Sequence, residues 1–219
     1  MLPIYDLSAK SSLLNRFVAE IRDVTIQTDP LRFRRNIERI GEILAYEISQ
    51  TLSYNQQDIQ TPLGIKACSL PNEDVVLCTI LRAGIPLHQG FLNYFDRAEN
   101  AFISASRVYN EDHSSFHIEI GYLSSPSIEG KTVIIADPML ATASSLELAY
   151  KALLQRGNPA AIHIACAIAS WPGIKNACQF FPEEKTTIWA AAIDPDLNDK
   201  AYIVPGLGDA GDLAYGGKI

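Results

Sequence analysis

The sequence predicts an α/β domain, a mainly parallel central sheet flanked by helices, and three observations lead there. Runs 75–81, 132–136, 162–169 and 187–193 are continuously apolar and rich in β-branched residues, as expected of strands covered on both faces. Helical stretches separate them, and strand–helix alternation favours a parallel sheet. A chain of 219 residues, 47% hydrophobic and 20% charged, forms one such domain without a disulfide or metal staple, because it buries roughly 70% of its unfolded surface.

In chain order, Thr28-Asp29-Pro30 opens a helix, with Asp29 as N-cap and Pro30 at the first position. Ile37, Ile40, Leu44 and Ile48 then recur at helical spacing. Arg34, Arg35, Glu38, Arg39 and Glu42 form its solvated outer face. Strand 75–81 runs into Arg82-Ala83-Gly84-Ile85-Pro86. Strand 132–136 runs into Asp137-Pro138-Met139-Leu140-Ala141-Thr142-Ala143-Ser144-Ser145. A helix over 145–156 follows, with Leu146, Ala149, Ala152 and Leu153 on one side and Gly157 as its stop. The longest apolar run, 160–171, ends at Pro172 and falls short of the roughly 20 residues a membrane helix needs, so it reads as a buried strand. No repeat or linker divides the chain.

Bulk charge narrows the partners. With 18 basic and 25 acidic residues the net charge is −7, which argues against nucleic acid and anionic membranes as partners. No basic stretch followed by an apolar run opens the sequence, so no secretory leader is expected. Cys68, Cys78, Cys166 and Cys178 form no Cys-x-x-Cys pair and join no His cluster, so zinc is not expected and the thiols read as reduced packing residues of a cytoplasmic protein. His88, His113, His117 and His163 lack partners at ligand or triad spacing.

Ligands of open parallel sheets lie beyond the carboxyl ends of the strands, and three segments there carry chemistry. Arg82 offers a fork of donors suited to a phosphate. In 137–145, small and hydroxylated residues precede a helix, so backbone N–H groups and the helix dipole converge on an anion. Thr142, Ser144 and Ser145 add hydroxyls, and Asp137 at the strand end is placed to accept from sugar hydroxyls. In 201–212, three glycines and two aspartates crowd together, where exposed peptide groups can read the edge of a flat amide-bearing ring.

Taken together, these segments make the chain resemble the uracil phosphoribosyltransferases over nearly its whole length. Leu81-Arg82-Ala83-Gly84 is similar to that family's first signature, 137–145 to its phosphoribosyl-phosphate loop and 202–212 to its uracil segment; helix 34–48 is similar too. The resemblance implies a phosphoribosyltransferase-type fold as one domain over 1–219. A small hood over the strand ends would come from a mobile segment at about 108–120 and from the C-terminal segment 195–219. It implies transfer of the 5-phosphoribosyl group of phosphoribosyl pyrophosphate (PRPP) to N1 of uracil, giving UMP and pyrophosphate in pyrimidine salvage.

By the same resemblance, Arg82, Arg107, Asp137 and Asp209 are catalytic. PRPP falls to Arg82, Arg107, Asp137, Pro138, Met139, Leu140, Ala141, Thr142, Ala143, Ser144, Ser145 and Asp209. Uracil falls to Ile203, Gly208, Asp209 and Ala210. Mg2+ is implied as cofactor, held through the substrate's pyrophosphate with no direct protein cage, and a homodimer or higher homo-oligomer is implied as well. His113 and His117 would lie in the hood. The chain departs from the family where two glycines usually stand, at Ala143 and Ser144. A position there needing positive φ would cost about 1 kcal/mol with a side chain. Ala143→Gly is accordingly expected to lower KM for PRPP, and a weakened homologue that binds nucleotide as a regulator is the alternative.

Overall fold

The computed structural model describes residues 1–71, 74–109 and 116–217, with backbone alone for 105–109 and 116–119. The chain runs β1 (Ile4–Asp6), α1 (Leu13–Arg22), α2 (Pro30–Ser49), β2 (Tyr54–Thr61), β3 (Gly64–Pro71), β4 (Val75–Leu81), α3 (Ile85–Leu92), β5 (Glu99–Tyr109) and β6 (Phe116–Ser124). It continues through β7 (Thr132–Ala136), β8 (Met139–Leu140), α4 (Ser144–Leu153), β9 (Ala161–Ser170), α5 (Trp171–Phe180), β10 (Thr186–Asp194), β11 (Asp196–Leu197), β12 (Ile203–Val204) and α6 (Ala210–Tyr215). The central sheet has the order β1–β10–β9–β7–β4–β5–β6, with β8 beside β9. Its pairs are parallel except β5–β6.

The four expected strands are β4, β7, β9 and β10, which stand side by side at the centre of the sheet. Their continuous apolar character has a physical cause: alternate residues feed two cores. Val133 and Ile135 of β7 pack with Leu146, Ala149 and Leu153 of α4 and Ile174 of α5. Ile134 and Ala136 pack on the opposite face with α1, α2, α3 and α6. In α2, Asp29 Oδ1 accepts from the N–H groups of Leu31 and Arg32, and Ile37, Ile40, Leu44 and Ile48 are buried. Helix α4 ends in a 3-10 turn, Leu154–Arg156, capped by Gly157 at φ 133°. No helix among the described residues is long and apolar enough to cross a membrane.

Two segments add detail that the reading of the sequence left open. The expected hood at 108–120 is strand at both ends, since Val108 and Tyr109 of β5 pair antiparallel with His117 and Phe116 of β6; residues 110–115, with His113, lie outside the described residues. The second is the β2–β3 hairpin, closed by a tight turn in which Thr61 faces Gly64. Its residues are mostly exposed, so it carries none of the burial pattern that marks the central strands.

Candidate active site

A cavity of about 470 Å³ opens at the carboxyl ends of β4 and β7. Three chain segments wall it: Arg82 and Ala83 after β4, Asp137, Met139 and 141–146 after β7, and 201–203 with 208–211 from the C-terminal part. Volume and lining suit a small polar ligand.

The loop after β7 is held from below. Its residues Met139 and Leu140 pair with Ile168 and Ala169 of β9. Ser170 Oγ donates to the carbonyl of Ala141 at 2.7 Å and accepts from Gly173 N, and Asn176 donates to the carbonyl of Thr142 at 3.2 Å. A Cβ at Gly173 would sit 2.2 Å from the Ala141 carbonyl oxygen, so α5 approaches the loop at backbone distance. Ala143, the N-cap residue of α4, makes no side-chain cap bond. Thr142 Oγ1 takes the Ser144 N–H at 3.4 Å, and Ser145 and Leu146 of the first turn line the cavity, where a helix N-terminus favours an anion. The hydroxyls of Thr142 and Ser144 lie 3.0 Å apart at this mouth. Pro138 and Leu140 are buried and do not reach the cavity wall, so among the residues expected to hold PRPP they support the loop rather than face a ligand.

Ala143 carries φ 66° and ψ 1°, the left-handed conformation that a glycine would adopt freely. Ser144 is helical, so only the first of the two departures is strained. Ala201, at φ 61°, is the other non-glycine residue with positive φ among the described residues, and it lines the same cavity. Two strained residues lining the same cavity mark a site whose surroundings over-determine its backbone. Ala143→Gly would release about 1–2 kcal/mol of this strain. It would also lose a buried methyl worth about 0.8 kcal/mol and add glycine's unfolded-state freedom of about 0.5–1 kcal/mol. The expected result in a thermal melt is therefore a Tm within about 4 °C of the parent, with any gain confined to ligand binding.

Arg82 follows a cis Leu81–Arg82 peptide bond. Its Nη2 donates to Asp212 Oδ1 at 3.0 Å and to the Gly216 carbonyl at 2.7 Å, while its Nε is buried without a partner. Gly84 behind it leaves no room for a side chain: a Cβ would lie 2.1 Å from Thr79 Oγ1, 2.7 Å from the Ile80 carbonyl oxygen and 3.0 Å from that of Ala136. Gly84→Ala is expected to cost about 1–3 kcal/mol and to lower Tm by about 2–4 °C for each of them.

The C-terminal wall is tied to the sheet through Asp194 at the end of β10. Arg22 grips both Asp194 oxygens at 2.7 and 2.8 Å and the Gly206 carbonyl at 2.9 Å, while Asp194 Oδ2 accepts from Gly206 N at 2.8 Å. Gly206 has φ 58°, and a Cβ there would meet the Ile203 carbonyl oxygen at 2.1 Å, so this turn requires glycine. Ile203 and Ala210 are buried and Asp209 is half-buried. Asp209 Oδ1 caps α6 by accepting from Asp212 N at 3.0 Å, which leaves Oδ2 for a ligand.

Asp137 borders the cavity, and its carboxylate accepts from Met139 N at 3.3 Å. Desolvation dominates there and pushes its pKa up to about 7 despite that hydrogen bond. The expected set therefore converges for Arg82, Asp137, Met139, 141–145, Ile203 and 208–210. Arg107 lies in β5 with its side chain outside the described residues, as does that of His117 in β6. His88 packs on Phe102, and His163 Nδ1 accepts from Trp189 Nε1 at 3.1 Å; neither lines the cavity. Tyr202 and Gly211 line it beyond the expected site residues. Both fall within the glycine-rich segment, which was the available signal. No group of three or more His, Cys, Asp or Glu side chains that could hold a metal occurs among the described residues.

A mainly parallel sheet flanked by helices, with a cavity at its strand ends, gives this chain the fold of the phosphoribosyltransferases. A solved hypoxanthine phosphoribosyltransferase from Staphylococcus aureus shares the fold, with TM-score 0.51 at 16% identity over 85% of this chain and 83% of that one. Within that class the chain belongs to the uracil phosphoribosyltransferase family, whose description matches residues 8–217. A uracil phosphoribosyltransferase from Porphyromonas gingivalis is 60% identical over 216 residues, 99% of each chain. One from Thermococcus gammatolerans is 36% identical over 212 residues, 95% of this chain and 92% of that one. A solved structure of a protein from Aquifex aeolicus has TM-score 0.85 at 31% identity and covers 97% of this chain and 98% of that one.

Proposed function

We propose that this chain transfers the 5-phosphoribosyl group of PRPP to N1 of uracil, releasing pyrophosphate and forming UMP in pyrimidine salvage. The bond from the ribose anomeric carbon to the pyrophosphate oxygen breaks, the bond to uracil N1 forms, and the N1 proton is lost. The observation that carries this reading is the strand-end cavity in which the N-terminus of α4 and the 203–210 segment line the same space. N–H groups and hydroxyls of 141–145 hold the 5′-phosphate, with Pro138 and Leu140 bracing the loop from behind. Asp137 accepts from the ribose hydroxyls. Arg82, with Arg107 from β5, meets the pyrophosphate, where fixed cations favour the charge that develops as it leaves. No covalent nucleophile is required, since orientation and charge complementarity serve an oxocarbenium-like transition state.

Backbone groups at Ile203, Gly208, Asp209 and Ala210 read uracil, which offers acceptors at O2 and O4 and a donor at N3. Cytosine inverts the pattern at positions 3 and 4 and leaves buried groups unpaired at about 1–3 kcal/mol each. The second oxygen of Asp209 is a hard oxygen donor at the cavity, which fits Mg2+ carried in mainly on the substrate's pyrophosphate. When bound, Mg2+ would neutralise pyrophosphate charge. The left-handed backbone of the phosphate loop is adopted with alanine at 143, which supports turnover over a purely regulatory role.

The whole of 1–219 serves as one catalytic domain, with 108–120 and 195–219 covering the strand ends. The protein acts in the cytoplasm as a homodimer or larger homo-oligomer; the projecting β2–β3 hairpin, with Leu63 99% and Ile65 70% exposed, supports assembly. Pyrophosphate release measured with uracil, cytosine and hypoxanthine in parallel tests the function. Release should follow uracil at least about tenfold over the others, and equal release with all three would refute the reading.

A further inference from the structure

The guanidinium of Arg82 is occupied by the protein's own anionic and carbonyl oxygens. A guanidinium grips a phosphate bidentately along one of two edges, Nε with Nη2 or Nη1 with Nη2. Both edges share Nη2, and Nη2 already donates to Asp212 Oδ1 at 3.0 Å and to the Gly216 carbonyl at 2.7 Å. Nε, the other half of one edge, is buried without a partner. A fork with one tine satisfied internally and the other waiting is poised for exchange. The contact is weak enough to exchange, because the Arg82 and Asp212 side chains are 35% and 44% exposed and such pairs contribute little in water.

Asp212 also links the two halves of the cavity. Its N–H donates to Asp209 Oδ1 while its carboxylate accepts from Arg82. Gly216 caps α6 at φ 83°, donates its N–H to the Asp212 carbonyl and turns its own carbonyl onto Arg82. Helix α6 has a separate anchor in Arg34, whose Nη1 donates to the Ala214 carbonyl at 2.7 Å and whose guanidinium lies 5.9 Å from the Tyr215 ring centre. Loss of the Arg82 contacts would therefore loosen the turn at 212–217 without detaching the helix.

We propose that Asp212 is a positioning residue: with the Gly216 carbonyl it parks Arg82 as an internal anion, and the pyrophosphate end of PRPP displaces it and releases the turn at 212–217. This rests on the reading above that Arg82 receives the pyrophosphate. Two measurements on the full chain test it. Asp212→Asn, which keeps the side-chain shape and removes the charge, should lower KM for PRPP by about two- to fivefold while kcat stays within about twofold. In the parent protein, hydrogen exchange at 212–217 should quicken when PRPP and Mg2+ are added. A raised or unchanged KM in the variant, or slowed or unchanged exchange at 212–217, would overturn the proposal. The same exchange experiment reports on 137–145. Protection there with no change at 212–217 sinks only the displacement, whereas no protection at 137–145 removes the PRPP site itself.

Discussion

Asp137→Asn lowers kcat/KM for PRPP at pH 8 by about 10- to 150-fold, the loss of a charge-assisted hydrogen bond worth about 1.5–3 kcal/mol. The pH profile shows why. Burial raises the Asp137 pKa to about 7, so kcat/KM of the parent falls as pH drops through 7 and the carboxylate that accepts from ribose is protonated. The Asn variant lacks that acid limb. Stability moves the other way. A carboxyl raised above its ordinary value of 3.8 destabilises the fold once ionised, and that cost grows as pH rises from 3.8 to about 7. Thermal melts should therefore place the Asn variant above the parent at pH 8, with the gap closing toward pH 4. A variant that lost activity without changing either profile would mean that Asp137 is not the titrating group.

Arg82→Ala is the second large effect, an expected fall of about 10²–10³ in kcat/KM, comparable to removing one donor aimed at developing negative charge. The fold should tolerate it, since the contact with Asp212 is a solvent-screened pair worth about 0–1 kcal/mol. Arg82→Lys should not restore the parent rate, because an ammonium presents a point charge where the fork grips two oxygens. Steady-state rates beside a melting curve separate the two effects. A parent-like kcat/KM in Arg82→Ala would remove Arg82 from the site.

The parts of this protein that were legible in its sequence share a cause. The strands β4, β7, β9 and β10 are buried on both faces, so their residues read as unbroken apolar runs. Helix α2 announces itself through a cap and a periodic face. The β2–β3 hairpin was missed because Tyr54-Asn55-Gln56-Gln57-Asp58 is polar and exposed, and nothing buried imposes alternation on it. Segment 116–120 alternates, His117 and Glu119 with Phe116, Ile118 and Ile120, and this is the pattern of the strand β6 that it forms. In the site, a contiguous motif over 137–145 suggested that all its residues face the ligand, yet Pro138 and Leu140 turn inward where the loop joins the sheet. The pairing of Arg82 with Asp212 joins residues 130 apart in sequence, and no local pattern could reveal it.

The most direct test of the account is to identify the nucleotide made when the purified protein meets uracil, PRPP and Mg2+. Chromatographic separation of the products should give UMP and pyrophosphate in equal amounts, with no nucleotide when uracil is omitted. Pyrophosphate appearing without UMP, or no product with PRPP bound, would contradict it.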